Sequence, residues 1–177
     1  RAINKYLTSY PKECAEEIYE SLHVERQKII VPIKETDEEY VRKWQEERYQ
    51  GKEFYEDTPE LYTQKGERVR SKSELIIADM LKKAGVPYKY EYPLRLNGMG
   101  KIYPDFTVLN INKRREILWE HFGMMDDPTY AEVAIKKILT YEQNGIFPGE
   151  KLILTYETRM NPINQKVVKS LIEHYLM

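Results

Sequence analysis

Pro104-Asp105-Phe106-Thr107-Val108-Leu109, a polar turn from Asn110 to Arg115, then Glu116-Ile117-Leu118-Trp119-Glu120-His121-Phe122: the reading of this stretch decides the fold. Both runs are rich in β-branched and aromatic residues and the turn between them is short, so they read as neighbouring antiparallel strands. Asp105 falls inside the first run and Glu120 near the end of the second. Asp105, behind Pro104, also fits a turn, although Phe106 to Leu109 favours a continuing strand. If the register puts both acids on one face, two carboxylates come side by side where desolvation and like charge oppose ionisation. Such a pair persists when positive charge sits between its members, and hard divalent cations favour oxygen ligands of this kind.

Working outward, Leu75, Ile76, Ala78, Met80 and Leu81 place an apolar stripe on a helix that ends at Gly85, with Pro87 just beyond. Tyr88 to Leu96 reads as one strand, Asn97-Gly98-Met99-Gly100 as a hairpin turn, and Lys101 to Leu109 as the next strand. Pro128 opens a helix to about Asn144, closed by Gly145. Lys151 to Tyr156 is a fourth strand, and Pro162 leads into a last helix through Val167, Val168, Leu171 and Ile172. Helix, three strands, helix, strand, helix gives an α/β fold with a four-stranded mixed sheet flanked by helices. Glu74 opens the first of these helices. Ser71-x-x-Glu74 matches a capping box, so Glu74 taken alone reads as a helix-start residue.

Residues 1–64 read as an acidic, helical N-terminal extension and residues 65–177 as the α/β domain. Ala15, Ile18, Tyr19 and Leu22 recur at helical spacing, and Tyr40, Val41, Trp44 and Tyr49 mark a second helix from about Asp37 to Gln50. Ile29-Ile30-Val31-Pro32-Ile33 between them is a strand or a packed connector. Residues 1–60 carry 10 Lys+Arg against 15 Asp+Glu, and the remainder 18 against 14, so a phosphate-binding surface belongs in the later part. The single cysteine, Cys14, leaves no internal disulfide or cysteine-based zinc site and points to a reducing, cytoplasmic setting. No apolar run is long enough to span a bilayer, so no membrane is expected. The start at Arg1 rather than Met leaves room for a further N-terminal domain. There is no phosphate-cradling Gly-rich loop, no GxSxG elbow and no zincin-type helix.

Pro104-Asp105 followed after 14 residues by Glu120 resembles the PD-(D/E)XK nuclease superfamily. The element order resembles that superfamily's αβββαβ restriction-endonuclease-like core, with Glu74 where many members carry a first-helix glutamate. Trp119-Glu120-His121-Phe122-Gly123 resembles the WEHFG form of bacterial and phage-type nuclease domains. The resemblance covers about Glu67 to Met177. It implies metal-dependent phosphodiester hydrolysis, with nucleic acid as partner and DNA expected over RNA. Asp105 and Glu120 would hold Mg²⁺ or Mn²⁺, and Glu74 would hold or position a second ion. The chain departs from the pattern where the usual lysine stands two positions after the second acid, because that residue is Phe122. Lys137-x-x-x-Tyr141 before Asn144-Gly145-Ile146 resembles a form that carries the lysine on the next helix, so Lys137 is the candidate, with Lys136 beside it. His121 is a further catalytic candidate only if a strand-end distortion turns it inward, since alternation sends it to the face opposite Glu120. Among the basic residues that flank the site (Lys65, Arg68, Lys113, Arg114 and Arg115 included), Arg70, Lys72, Arg95, Lys101 and Lys136 are the nucleic-acid candidates. Double-strand cutting by this fold goes with a homodimer. The alternative is a nuclease-like module without catalysis that binds nucleic acid or a partner protein. The direction of Lys137 separates the two.

Overall fold

The computed structural model describes residues 15–29, 35–56 and 58–177. Cys14 and the Ile30 to Ile33 stretch lie outside them. In the early part, α1 spans Ala15–Glu20, α2 Val24–Gln27 and α3 Asp37–Glu46. Asp37, Glu38 and Glu39 fill the first turn of α3, where the helix dipole favours negative charge. The chain divides into compact units at Lys43/Trp44, well ahead of the expected boundary at 64/65. Residues 44–64 join the later unit through specific contacts. The Trp44 indole N–H donates to Glu116 at 2.6 Å, and the Tyr49 hydroxyl to the Tyr90 carbonyl at 2.8 Å. Glu47 pairs with the buried ammonium of Lys89, which also lies over the rings of Trp44 and Tyr92. Strand β1 (Leu61–Tyr62) pairs antiparallel with β2 (Arg68–Val69).

Helix α4 (Lys72–Lys83) starts where Ser71, in extended conformation, accepts the Glu74 N–H at 3.1 Å, and Gly85 follows its end in left-handed backbone. The expected strand Tyr88–Leu96 is broken. Its halves, β3 (Tyr88–Tyr90) and β4 (Leu94–Leu96), belong to different sheets. Between them Glu91 adopts φ 49°, a left-handed value rare outside glycine, and Pro93 has no N–H for a ladder. The next expected strand breaks likewise at Pro104-Asp105, into β5 (Gly100–Ile102) and β6 (Phe106–Asn110). Strands β4 and β5 form a separate two-stranded ribbon, closed by a turn with Gly98 and Gly100 in left-handed backbone.

The main sheet has the order β3-β6-β7-β8, with β7 Arg115–Phe122 and β8 Leu152–Tyr156. The first three strands are antiparallel. Strand β8 lies parallel to β7, reached through α5 (Pro128–Gln143). The last helix, α6 (Gln165–Leu176), is capped by Asn164. One core holds Phe106, Ile117, Trp119 and Ile153 with Ile77 and Leu81 of α4 and Val168 and Ile172 of α6. A second holds Leu118 and Leu152 with Tyr141 of α5 and Leu96 and Ile102 of the ribbon. Alternation along β7 therefore sends Trp119 toward α4 and α6, and Leu118 and Glu120 toward α5. The fold is mixed α/β with a four-stranded mixed sheet between helices. Among the described residues no helix is long and apolar enough to cross a membrane.

Candidate active site

The antiparallel register aligns Phe106 with Trp119, and one further step sets Asp105 opposite Glu120. Asp105 is in the link before β6 and not inside a strand, because Pro104 ends the pairing. It is half-buried, and its Oδ2 accepts the backbone N–H of His121 at 2.7 Å. Glu120 is 1% exposed on β7, an unusual place for a carboxylate. Its partners come from α5. Lys137 Nζ lies 2.7 Å from the carboxylate, and the Tyr141 hydroxyl donates to Oε1 at 2.5 Å. Lys137 and Tyr141 are one helical turn apart and share a face. Lys136, the neighbouring candidate, is exposed.

Glu74, at the start of α4, acts on Asp105 and Glu120 through its charge. Its Oε2 accepts the Tyr90 hydroxyl at 2.7 Å and the Arg70 N–H at 2.9 Å. It thus performs a helix-start function, on the residue before the cap, while its charge also acts on the other two acids. Burial pushes the Asp105 carboxyl well above the ordinary aspartate range; Glu120 and then Glu74 push it further, against Lys137 and the His121 N–H. Burial likewise raises the Glu120 carboxyl, Lys137 and Tyr141 pull it back, and Glu74 adds to the rise. Both acids thus resist ionisation in the absence of added positive charge.

His121 faces away from this centre. Its ring shares Thr155 with Trp119, at 3.0 Å from Nδ1, and its Nε2 stands 3.4 Å from Glu157 without hydrogen-bond geometry. The imidazole is therefore not with the acids; what His121 contributes is its backbone N–H on Asp105. Glu157 accepts the Ser73 hydroxyl at both oxygens and the Ile163 N–H. Burial acts to raise its carboxyl, and these hydrogen bonds outweigh it and hold the group below the usual glutamate range.

The basic candidates separate. The Arg70 guanidinium is turned inward, onto Glu91 at 2.6 Å and 3.0 Å and the carbonyls of Lys52 and Glu53, over the Phe54 ring. Nε and Nη2 are committed to these acceptors and the side chain is largely buried, so Arg70 serves Glu91 first. Arg68 donates to the Thr58 carbonyl, and Lys65 lies over Tyr88. Lys113, Arg114 and Arg115 stand at the β6–β7 turn, the end of those strands away from Asp105 and Glu120. Lys72, Arg95, Lys101 and Lys136 are exposed. The fold also brings in groups that the sequence reading did not assign to the site. They are the Tyr90 hydroxyl on Glu74 and the half-buried Tyr130, whose hydroxyl accepts the Gly123 N–H at 3.2 Å. No periodicity marks either one. The carboxyl ends of β7 and β8 border a hollow of about 490 Å³ lined by Gly123, Asp127, Glu157 and Arg159, the end of a parallel pair where α/β sheets bind ligands.

The chain is similar, at 38% identity over 92 residues, to an uncharacterized protein of Methanocaldococcus jannaschii. That match covers 51% of this chain and 8% of the archaeal protein. No family model and no solved structure matches the chain.

Proposed function

We propose that this chain is a metal-dependent nuclease that hydrolyses phosphodiester bonds, in DNA before RNA, on a restriction-endonuclease-like αβββαβ core of the PD-(D/E)XK type. The observation that carries the reading is the meeting of Lys137 and Tyr141 from one helix with the buried Glu120, next to Asp105 and within the electrostatic reach of Glu74. A hydrophobic sheet face has no structural need of a carboxylate there.

The donor set fits a hard divalent cation. Asp105 and Glu120 are held near each other, and both are pushed toward protonation by burial and by neighbouring negative charge, a strain that a cation relieves. Among the described residues no group of three or more His, Cys, Asp or Glu forms a metal cage. Mg²⁺ commonly takes one or two protein carboxylates and completes its shell elsewhere. Asp105 and Glu120 are the residues that would hold Mg²⁺ or Mn²⁺, and Glu74 would hold or position a second ion. Such an ion supplies Lewis acidity, which acidifies water and neutralises charge on the phosphate. Lys137 orients the attacking water and offsets phosphate charge as the bond breaks. Tyr141 fixes the Glu120 carboxylate, the His121 N–H fixes Asp105, and Tyr90 with the Arg70 N–H fixes Glu74.

A binding module without catalysis is the second reading. It rests on Phe122, which stands where the family places its lysine and is buried in a stack on Tyr156. The test is cleavage of labelled single- and double-stranded DNA and RNA with Mg²⁺, Mn²⁺ or EDTA. We expect metal-dependent cutting that Asp105→Ala and Glu120→Ala abolish and that Lys137→Ala slows by roughly 10²–10⁴-fold. A folded wild-type chain that cuts none of these substrates and binds no Mn²⁺ by calorimetry would establish the non-catalytic module instead.

A further inference from the structure

The β4–β5 ribbon carries an arrangement that folding alone disfavours. Its register sets Arg95 directly opposite Lys101. Like charges so paired across a ladder repel. Both side chains are exposed, and among the described residues neither has a carboxylate partner; Lys101 only lies over the Tyr103 ring at 5.0 Å. The segment Leu94-Arg95-Leu96-Asn97-Gly98-Met99-Gly100-Lys101 contains no acid. The ribbon is nonetheless held firmly. Leu96 and Ile102 bury its underside in the core beneath α5. At its tip the Asn97 N–H donates to the Asn144 side chain at 2.9 Å, and Asn144 returns a hydrogen bond to the Asn97 carbonyl at 3.1 Å. The outer, doubly cationic face is therefore presented to solvent on a fixed support. Only Ile102-Tyr103-Pro104 separates Lys101 from Asp105.

We infer that this ribbon is a clamp for the backbone of B-form duplex DNA, with Arg95 and Lys101 as its paired phosphate ligands beside the acidic centre. The inference rests on the nuclease reading for its substrate class and adds the form of the substrate. Two exposed cations side by side without an acid between them suit a polyanionic backbone, where each phosphate neutralised releases counterions. A two-stranded ribbon fits the major groove of B-DNA, which is roughly 12 Å wide, whereas the deep, narrow major groove of an A-form RNA duplex does not admit it.

The test is binding by the full chain, in EDTA so that cutting does not interfere. Fluorescence anisotropy would follow a labelled DNA duplex, an RNA duplex of the same sequence and single-stranded DNA across a salt series. For the DNA duplex, the Arg95→Ala/Lys101→Ala variant should lose roughly tenfold or more in affinity at 0.1 M salt, and its slope of log K against log salt should be shallower by about 2. Arg95→Lys/Lys101→Arg should keep the wild-type affinity. Lys169→Ala, on α6 at the opposite face of the sheet, should do the same. Wild type should bind the DNA duplex more tightly than either other probe. An unchanged slope and affinity in the double-alanine variant would overturn the clamp, and so would equal binding of the RNA duplex or of single strands. Cutting by wild type with Mg²⁺ is scored separately. If the clamp result holds and no cutting occurs, the nuclease reading alone falls. If cutting occurs and the alanine variant binds like wild type, the clamp alone falls.

Discussion

At the scale of the residue, Asp105 and Glu120 show how a chain holds charges that its own packing opposes. Both carboxyls have folded-state pKa values raised above their unfolded ones, with burial as the leading cause. The folded state therefore holds these protons more tightly than the unfolded state. The associated stability is fully present below the unfolded pKa, near 4, and is lost as pH rises from there through the raised folded values. Asp105→Asn removes the charge and keeps an oxygen for the His121 N–H. In EDTA at pH 7 we expect this variant to melt about 2–4 °C higher than wild type, the shift for ~1 kcal/mol in a chain of this size. The gain should vanish at pH 4. A melt of Asp105→Asn equal to or lower than wild type at pH 7 would show that the carboxylate is not strained. The sequence marked Asp105 and Glu120 through their apolar neighbours. It carried no mark of Tyr90, whose hydroxyl meets Glu74 only because β3 lies beside the start of α4.

At the scale of the element, helix ends and the tight turn were legible because each follows from local chemistry. Ser71 caps its helix, Pro128 opens the next, and Gly85 and Gly145 leave theirs in left-handed backbone, whereas the caps Asp127 and Asn164 emerge only in the structure. The broken strands were less legible. Pro93 and Pro104 were visible, but proline is tolerated at strand edges, so composition alone did not decide between an edge and a break. The break at Glu91 depends on a partner distant in sequence. Arg70 grips the Glu91 carboxylate in two hydrogen bonds, and both side chains are largely buried. Arg70→Ala would leave Glu91 buried and unpaired in a backbone conformation that favours glycine. We expect it to lower stability by roughly 3–5 kcal/mol, read from urea unfolding followed by circular dichroism. A loss under 1 kcal/mol would mean that the ion pair does not hold the break.

At the scale of the whole molecule, the later unit begins at Trp44 and not at the composition shift near residue 65. The acidic stretch before residue 60 reads as separate by charge, yet its second part closes the sheet edge through Trp44, Glu47 and Tyr49. A chain of residues 44–177 should therefore unfold cooperatively. A chain of residues 65–177 should be weaker by more than ~3 kcal/mol, the order expected for losing one buried tryptophan. Equal urea midpoints for the two chains would show that residues 44–64 contribute nothing to the fold.

The sequence by itself determined the order of the later helices and of the four strands of the main sheet, where the first two of those helices end, and the separate positions of Glu74, Asp105, Glu120 and Lys137. These are local properties: side-chain period, capping and turn chemistry act over a few residues. Strand alternation already sent His121 to the face opposite Glu120. Only the tertiary structure decided that Lys137, rather than Lys136, meets Glu120 and that Arg70 turns inward. It also decided that Arg95 and Lys101 stand opposite each other on an anchored ribbon. Each of those outcomes depends on register and on which faces pack together. Such relations join residues far apart in the chain, and no local pattern encodes them.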